Sequence, residues 1–237
     1  MGRIASLFLV VFVISLFACG TENTSEGFDG AYNQPLDYSN GTYCVIGEDR
    51  SYHESVTVLS GSRSEGGYWA EGGGCILRPL KEVWAVGHNQ PHLVWDRVDD
   101  YSVTVKEPPQ NVTHFYEVLY KVKEFFITVD WTMYWFHSIQ RGTFEDPKEV
   151  LINFQKVAGT SYIPYWKGSI LLKEIAPGVT QFSIRWLIDA SEQTEAKAAE
   201  SVRTMYEKFR TGGPNWEPLR PAVSVRKASQ GGEDERL

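Results

Sequence analysis

Hydrophobic and polar residues alternate along much of the central part of the chain. Seven runs rich in β-branched and aromatic residues are separated by Pro, Gly or Asn, a pattern typical of strands joined by turns. These strands are predicted at 68–77, 101–106, 114–123, 125–137, 149–157, 165–175 and 179–189. In the last run Phe182, Ile184 and Trp186 alternate with more polar residues, so one face of the strand is predicted to be buried.

Helical periodicity appears in three places. Residues 79–86 begin with a proline at the first turn, and a second short helix is predicted at 90–96. The long helix is predicted at 190–210, with Ser191 as its N-cap and the Gly-Gly-Pro sequence at 212–214 as its end. Its apolar face is formed by Ala198, Val202, Met205, Tyr206 and Phe209, which recur at helical spacing.

The order of these elements predicts an α+β fold. One strand, two short helices, six strands and a long helix favour an antiparallel seven-stranded sheet that buries the apolar face of the C-terminal helix. The domain is predicted at 67–211. The flanking segments are rich in Gly, Ser, Asn and charged residues, so 19–66 is interpreted as a tether and N-terminal extension, and 212–237 as a disordered tail.

The first 18 residues have the pattern of a signal peptide. One positive charge at Arg3 precedes an apolar or small run at 4–18, which is short for a membrane span. The run ends Leu-Phe-Ala-Cys-Gly, which resembles a bacterial lipobox, although Phe17 departs from the usual pattern. We expect cleavage before Cys19 and acylation of Cys19, for example with palmitate. The alternative is that Cys19 is an ordinary cysteine beside a plain signal peptidase site.

Gly20, in place of an aspartate after the cysteine, favours an outer-membrane destination. The protein is therefore expected in the cell envelope as a lipoprotein, facing the periplasm or the cell surface. In that oxidising compartment, the two other cysteines, Cys44 and Cys75, are predicted to form a disulfide. The alternative is two free, buried thiols.

Charge and composition narrow the function classes. Removing residues 1–18 removes only Arg3 from the charged residues, so the mature chain has 22 basic and 30 acidic residues and a net charge of −8. An acidic chain without a basic stripe is not typical of nucleic-acid binding, so no nucleic-acid partner is predicted. Aromatic residues form 14% of the chain, which suffices for a large core or for an apolar cavity.

Two segments carry a resemblance to a known family. Residues 75–84, Cys-Ile-Leu-Arg-Pro-Leu-Lys-Glu-Val-Trp, and residues 168–189 with the helix that follows them resemble parts of the START-like, or SRPBCC, superfamily. The resemblance covers 67–211 and rests on the order of these elements along the chain. It implies a helix-grip fold, in which a curved sheet and the long helix enclose an apolar cavity that binds a lipid or another hydrophobic small molecule.

Large side chains on the predicted inner face are the candidate ligand-binding residues. They are Tyr116, Tyr120, Trp131, Met133, Trp135, Trp166, Trp186, Met205 and Phe209. One alternative is that they fill the core, which would make the protein a solid interaction or structural domain. Another is an enzyme on the same fold, such as a cyclase or hydrolase, which needs a polar cluster inside the cavity, for example His137 with a carboxylate.

Other patterns do not define a site. His88 and His92 have the spacing of metal ligands on a helix, but Pro91 lies between them, so they are interpreted as surface histidines. No metal and no cofactor are predicted. The glycines at 72–74 lack the Lys-Ser/Thr of a phosphate-binding loop and are interpreted as a bulge or kink. Asp130 and Arg185 are predicted to pair across the sheet.

Overall fold

A computed structural model describes residues 35, 42–94, 98–124, 127–212 and 225–226. The predicted signal peptide and Cys19 lie outside these residues, as do parts of the predicted tether and tail. In the described part of the chain, no helix has the length and apolar character needed to cross a membrane.

The strands form one antiparallel sheet of nine, in the order β1-β2-β8-β7-β6-β5-β4-β3-β9. Their bounds are β1 Val56–Ser62, β2 Tyr68–Ile76, β3 Asp100–Lys106, β4 His114–Glu124, β5 Ile127–Gly142, β6 Pro147–Gly159, β7 Tyr165–Ala176, β8 Val179–Asp189 and β9 Val225–Arg226. The seven predicted strands are all present, as β2 to β8. Register shifts within the β5–β6 pairing mark bulges or irregularities in both strands.

The predicted number of seven strands is wrong, because two further strands occupy the edges of the sheet. β1 pairs with β2, and its Val56 and Val58 pack against the core. The sequence predicts only a short β-like piece at 55–59, because its apolar alternation spans three residues, too few to show that it joins the sheet. β9 consists of two residues and pairs with β3. The sheet therefore extends beyond both ends of the predicted 67–211 domain.

Three helices follow the predicted order. They are α1 Leu80–Gly87, α2 Gln90–Val94 and α3 Glu195–Thr211. α3 is capped by Thr194, whose side chain accepts a hydrogen bond from the Lys197 backbone N–H, and not by Ser191 as predicted. The reason is local: Glu192 has a φ of 64°, a left-handed conformation that ends the preceding turn and delays the helix.

The long helix packs directly onto the glycine-rich part of β2. A Cβ atom on Gly72 would stand 3.1 Å from Val202 Cγ1, and one on Gly74 would stand 3.1 Å from Tyr206 Cε2. The lack of side chains at these two positions therefore leaves room for the apolar face of α3, and also for the backbone at β1, because a Cβ there would overlap the Thr57 or Ser55 carbonyl oxygen. The prediction of a bulge at 72–74 is wrong, since β2 keeps a continuous register with β1 and β8 through the glycines.

The expected helix-grip arrangement is confirmed. The helices lie on one face of the sheet, and the core is formed by the inward residues of β2 to β8 together with α1 and α3. Phe182, Ile184 and Trp186 point into this core, as their alternation predicted. On the other face Arg185 pairs with the buried Glu71 at 3.4 Å. Its predicted pairing with Asp130 is wrong, because two strands separate β5 from β8.

Cys44 and Cys75 lie at disulfide-bonding distance, with their Cα atoms 4.7 Å apart. Both are buried, and the contact joins the segment before β1 to the end of β2.

We predict that peptide mapping without reductant recovers the two cysteines as one cross-linked fragment. A loop of this size stabilises a fold by roughly 3–4 kcal/mol in the chain-entropy model, so reduction should lower the urea midpoint. Two thiols open to alkylation in freshly purified, unfolded protein would contradict the bond.

Candidate functional site

An open cleft runs along α3, between this helix, α2, the start of β7 and the end of β8. Its volume is about 420 Å³, within the range of small-molecule sites. The residues that line it are Leu93, Val94, Trp166, Trp186, Ile188, Ser191, Glu192, Gln193, Lys197, Glu200, Ser201, Thr204, Met205 and Lys208. The cleft is therefore built from an apolar floor and a polar rim.

Two tryptophans form the centre of the floor. Trp166 on β7 and Trp186 on β8 are each 2% exposed, and their rings meet edge to face with centroids 5.7 Å apart. Trp186 lies opposite Gly168 in the register, and a Cβ there would overlap the Phe154 ring. The glycine therefore leaves room for the Phe154 ring, which lies opposite it on β6. Ile188 and Met205 extend the apolar surface.

The rim carries two basic and two acidic side chains. Lys197 Nζ donates a hydrogen bond to the Glu192 carbonyl oxygen at 2.8 Å, and Lys208 Nζ donates to the His92 carbonyl oxygen at 2.7 Å. The other two charged groups are the carboxylates of Glu192 and Glu200. The formal charge of the rim is thus balanced, and both ammonium groups already have backbone partners.

Three donors of the lining side chains are buried without a hydrogen-bond partner among the described residues. They are the indole N–H groups of Trp166 and Trp186 and the side-chain amide nitrogen of Gln193. An unmade hydrogen bond at a buried donor costs free energy, so native proteins satisfy nearly all of them. The walls of the cleft therefore contain unpartnered donors as well as apolar side chains.

The structure separates the predicted ligand-binding residues into two groups. Trp166, Trp186 and Met205 line the cleft. The other six are packed in the core, each no more than 2% exposed: Tyr116, Tyr120, Trp131, Met133, Trp135 and Phe209. Trp135, for example, stacks on Phe154 at 4.7 Å and donates to the Tyr120 hydroxyl at 3.2 Å. None of these six is among the residues that line this cleft.

Several cleft residues were not predicted from the sequence. The side chains of Lys197, Glu200, Ser201, Thr204 and Lys208 recur at spacings of three and four, so they form a polar stripe beside the apolar face of α3. The sequence contains that spacing. It does not show how α3 is rotated about its axis relative to the sheet, so it cannot place the stripe beside a cleft. Lys197, near the start of α3, is the first residue of this stripe.

A second polar cluster lies inside the core. His88 follows α1, while His114 on β4 faces His137 on β5. The His88 ring centroid is 5.0 Å from those of both other histidines. The interpretation of His88 as a surface residue is wrong: it is 5% exposed, because α1 continues to Gly87 and turns His88 inward. His92 is exposed, as predicted.

The partners of His137 fix its tautomer. Trp84 Nε1–H donates to His137 Nδ1 at 3.1 Å, so the remaining proton of the neutral ring lies on Nε2. The Gln90 amide, 3.3 Å from Nε2, satisfies this donor when it turns its oxygen toward the ring. That orientation also gives a partner to the Gln90 oxygen, which otherwise has none. His137 therefore uses both ring nitrogens, and its partners are an indole and an amide.

Burial keeps these histidines neutral. It lowers the pKa of His88 to about 3, with a smaller contribution from His114. Burial also lowers the pKa of His137 far below its usual range, and that of His114 to a lesser degree. Among the described residues, no group of three or more His, Cys, Asp or Glu side chains is arranged to hold a metal ion. The cluster is best explained as a buried network that supports the sheet.

Comparison with known proteins gives structural similarity without sequence matches. No family model and no curated protein sequence matches the chain. One similar solved structure is the lipid transfer and protein localization domain of human StarD13, with 12% sequence identity and a TM-score of 0.47 over 67% of this chain and 86% of that chain. A second is the STAR-related lipid transfer protein of Xanthomonas axonopodis, with 11% sequence identity and a TM-score of 0.46 over 70% of this chain and 96% of that chain. A third is the Zhui aromatase/cyclase from Streptomyces, with 12% sequence identity and a TM-score of 0.35 over 66% of this chain and 87% of that chain. Lipid transfer domains and an aromatase/cyclase are both among the structural neighbours.

Proposed function

We propose that this protein binds a hydrophobic or amphipathic small molecule, such as a lipid, in the cleft beside α3. The observation that carries the proposal is the floor of Trp166, Trp186, Ile188 and Met205 beneath a polar rim in a cleft of about 420 Å³. Buried apolar contact contributes about 25 cal/mol per Å² before the cost of association is subtracted. A ligand that covers this floor therefore gains affinity, while its polar end meets the rim.

The experiment that tests this proposal is a titration of the purified protein with Nile red, an apolar dye whose fluorescence rises in apolar surroundings. We expect one saturable site, with tryptophan fluorescence falling as the dye binds near Trp166 and Trp186.

An enzymatic function has less support. It would need a polar cluster in the interior, such as His137 with a carboxylate, whereas the partners of His137 are an indole and an amide.

We further propose that the binding domain is held at a membrane surface by acylated Cys19. The support is the signal-like run and the Leu-Phe-Ala-Cys-Gly sequence at its end. Each buried CH₂ of an acyl chain contributes about 0.8 kcal/mol, so two or three chains anchor a protein stably. A tethered protein with this cleft would act on a ligand that partitions into the same membrane.

Acylation predicts a clear result for one substitution. In cells fed labelled palmitate, the Cys19→Ser variant should lose the label and move from the membrane fraction to the soluble fraction. Cys44→Ser is the matched control, since it removes a cysteine from the folded domain and should leave the label in place. Equal labelling of the wild type and the Cys19→Ser variant would rule out this anchor.

A further inference from the structure

We propose that the ligand of this cleft carries a neutral hydrogen-bond acceptor, such as a ketone or ester carbonyl, and that Trp166 and Trp186 donate to it. The inference rests on the proposed function and adds the chemical class of the ligand. It starts from the two indole N–H groups, which are buried in the cleft wall and have no partner among the described residues.

Indole is the relevant group because it is a donor only. Unlike a hydroxyl group, it cannot be satisfied by a neighbouring donor, so each of these N–H groups requires an acceptor. The ring of each tryptophan is 2% exposed, so bulk water reaches it poorly in the described structure. The two rings lie in contact, with centroids 5.7 Å apart, so both tryptophans belong to one small area of the floor.

The charge of the site favours a neutral acceptor over an anion. Two carboxylates balance the two ammonium groups of the rim, and Lys197 and Lys208 already donate to backbone carbonyl oxygens. No arginine lines the described cleft. An anion on the apolar floor would lose its hydration without gaining a dedicated counter-charge, whereas a carbonyl oxygen needs only neutral donors. Gln193, whose amide nitrogen is also buried without a partner, supplies a third such donor at the rim.

Two probes of nearly the same shape test this inference. 2-Acetylnaphthalene and 2-ethylnaphthalene differ by a carbonyl in place of a methylene, and both are small enough for the cleft. Their affinities for the full-length chain are measured by displacement of Nile red. Trp166→Phe and Trp186→Phe keep an aromatic floor but remove the N–H, so each should weaken binding of the ketone by about 3- to 10-fold more than it weakens binding of the hydrocarbon.

Trp69→Phe is the matched control. Trp69 lies on β2 and does not line the cleft, so this substitution should leave the affinities for both probes unchanged. The carbonyl stretching band of bound, isotope-labelled 2-acetylnaphthalene gives a second measurement that needs no variant. We expect it at a lower frequency than in hexane, as for a hydrogen-bonded carbonyl. A band at its hexane frequency would overturn the inference even if the variants failed to fold.

The outcomes separate this inference from the proposed function. One outcome is that both probes bind while the two cleft substitutions lower the affinities for the two probes equally, or lower neither affinity. In that case the carbonyl is not recognised, and only the further inference fails. If 2-naphthoate binds more tightly than the ketone, the site selects anions and the inference is likewise overturned. If the folded protein binds neither probe, both proposals fail together.

Discussion

Replacing Met205 with tryptophan is expected to abolish most ligand binding while the fold is retained. Met205 lies on α3, is 2% exposed and forms part of the cleft floor. If the larger side chain displaces roughly 100 Å² of ligand contact, the loss is about 2.5 kcal/mol, or close to two orders of magnitude in affinity. The measurement is the affinity for Nile red in the wild type and in the Met205→Trp variant.

Two further variants make this test specific. Arg203→Trp places the same side chain on an exposed position of α3 outside the cleft, so its affinity should match the wild type. Thr204→Trp enters the cleft from a less buried position and should weaken binding without straining the core. If Met205→Trp unfolds the protein and Thr204→Trp binds the dye like the wild type, the floor is a packed core. That result would support the alternative of a solid interaction or structural domain.

Stability is expected to fall steeply with acid because of the buried histidines. Native His88 and His137 stay neutral, whereas unfolded histidines bind protons below about pH 6.5. Between that pH and the native pKa of about 3 for His88, the unfolded state therefore holds more protons. The free energy of unfolding then decreases as the pH falls through this window, by about 1.4 kcal/mol per pH unit for each such histidine.

The size of this effect makes it measurable by urea denaturation. From pH 6.5 to 4.5, the two histidines together remove roughly 5 kcal/mol, a large share of a typical domain stability of about 5–15 kcal/mol. The His88→Gln variant should show a shallower decrease over this range, since one buried histidine is gone. His92→Gln is the control, because His92 is exposed and its removal should leave the slope unchanged. A wild-type stability that is flat from pH 7 to 5 would contradict neutral burial of the cluster.

The sheet and helices were predictable because their patterns are long. Runs such as 179–189 alternate over many residues, and the apolar face of α3 repeats from Ala198 to Phe209. The piece at 55–59 was predicted as β-like but left outside the sheet, since its alternation is short and its neighbours are polar. The glycines at 72–74 were misread because their role depends on how closely α3 approaches β2, which no local pattern reveals.

The site was only partly predictable, for a related reason. Alternation identified which aromatic residues face inward, and Trp166 and Trp186 do line the cleft. It could not tell which inward residues pack against one another and which border open space. Trp135 and Tyr120 share the same face but bond to each other in the core. His88 was misplaced because the proline that follows it suggested a loop, while the chain turns inward at the end of α1.

The central claim is that the cleft beside α3 takes up an apolar ligand, and titration of purified, folded protein with Nile red tests it most directly. The account predicts one saturable site at micromolar dye, quenching of tryptophan fluorescence, and loss of both signals in the Met205→Trp variant but not in Arg203→Trp. A wild-type protein that is folded by circular dichroism and yet leaves the dye unbound at micromolar concentration would contradict it.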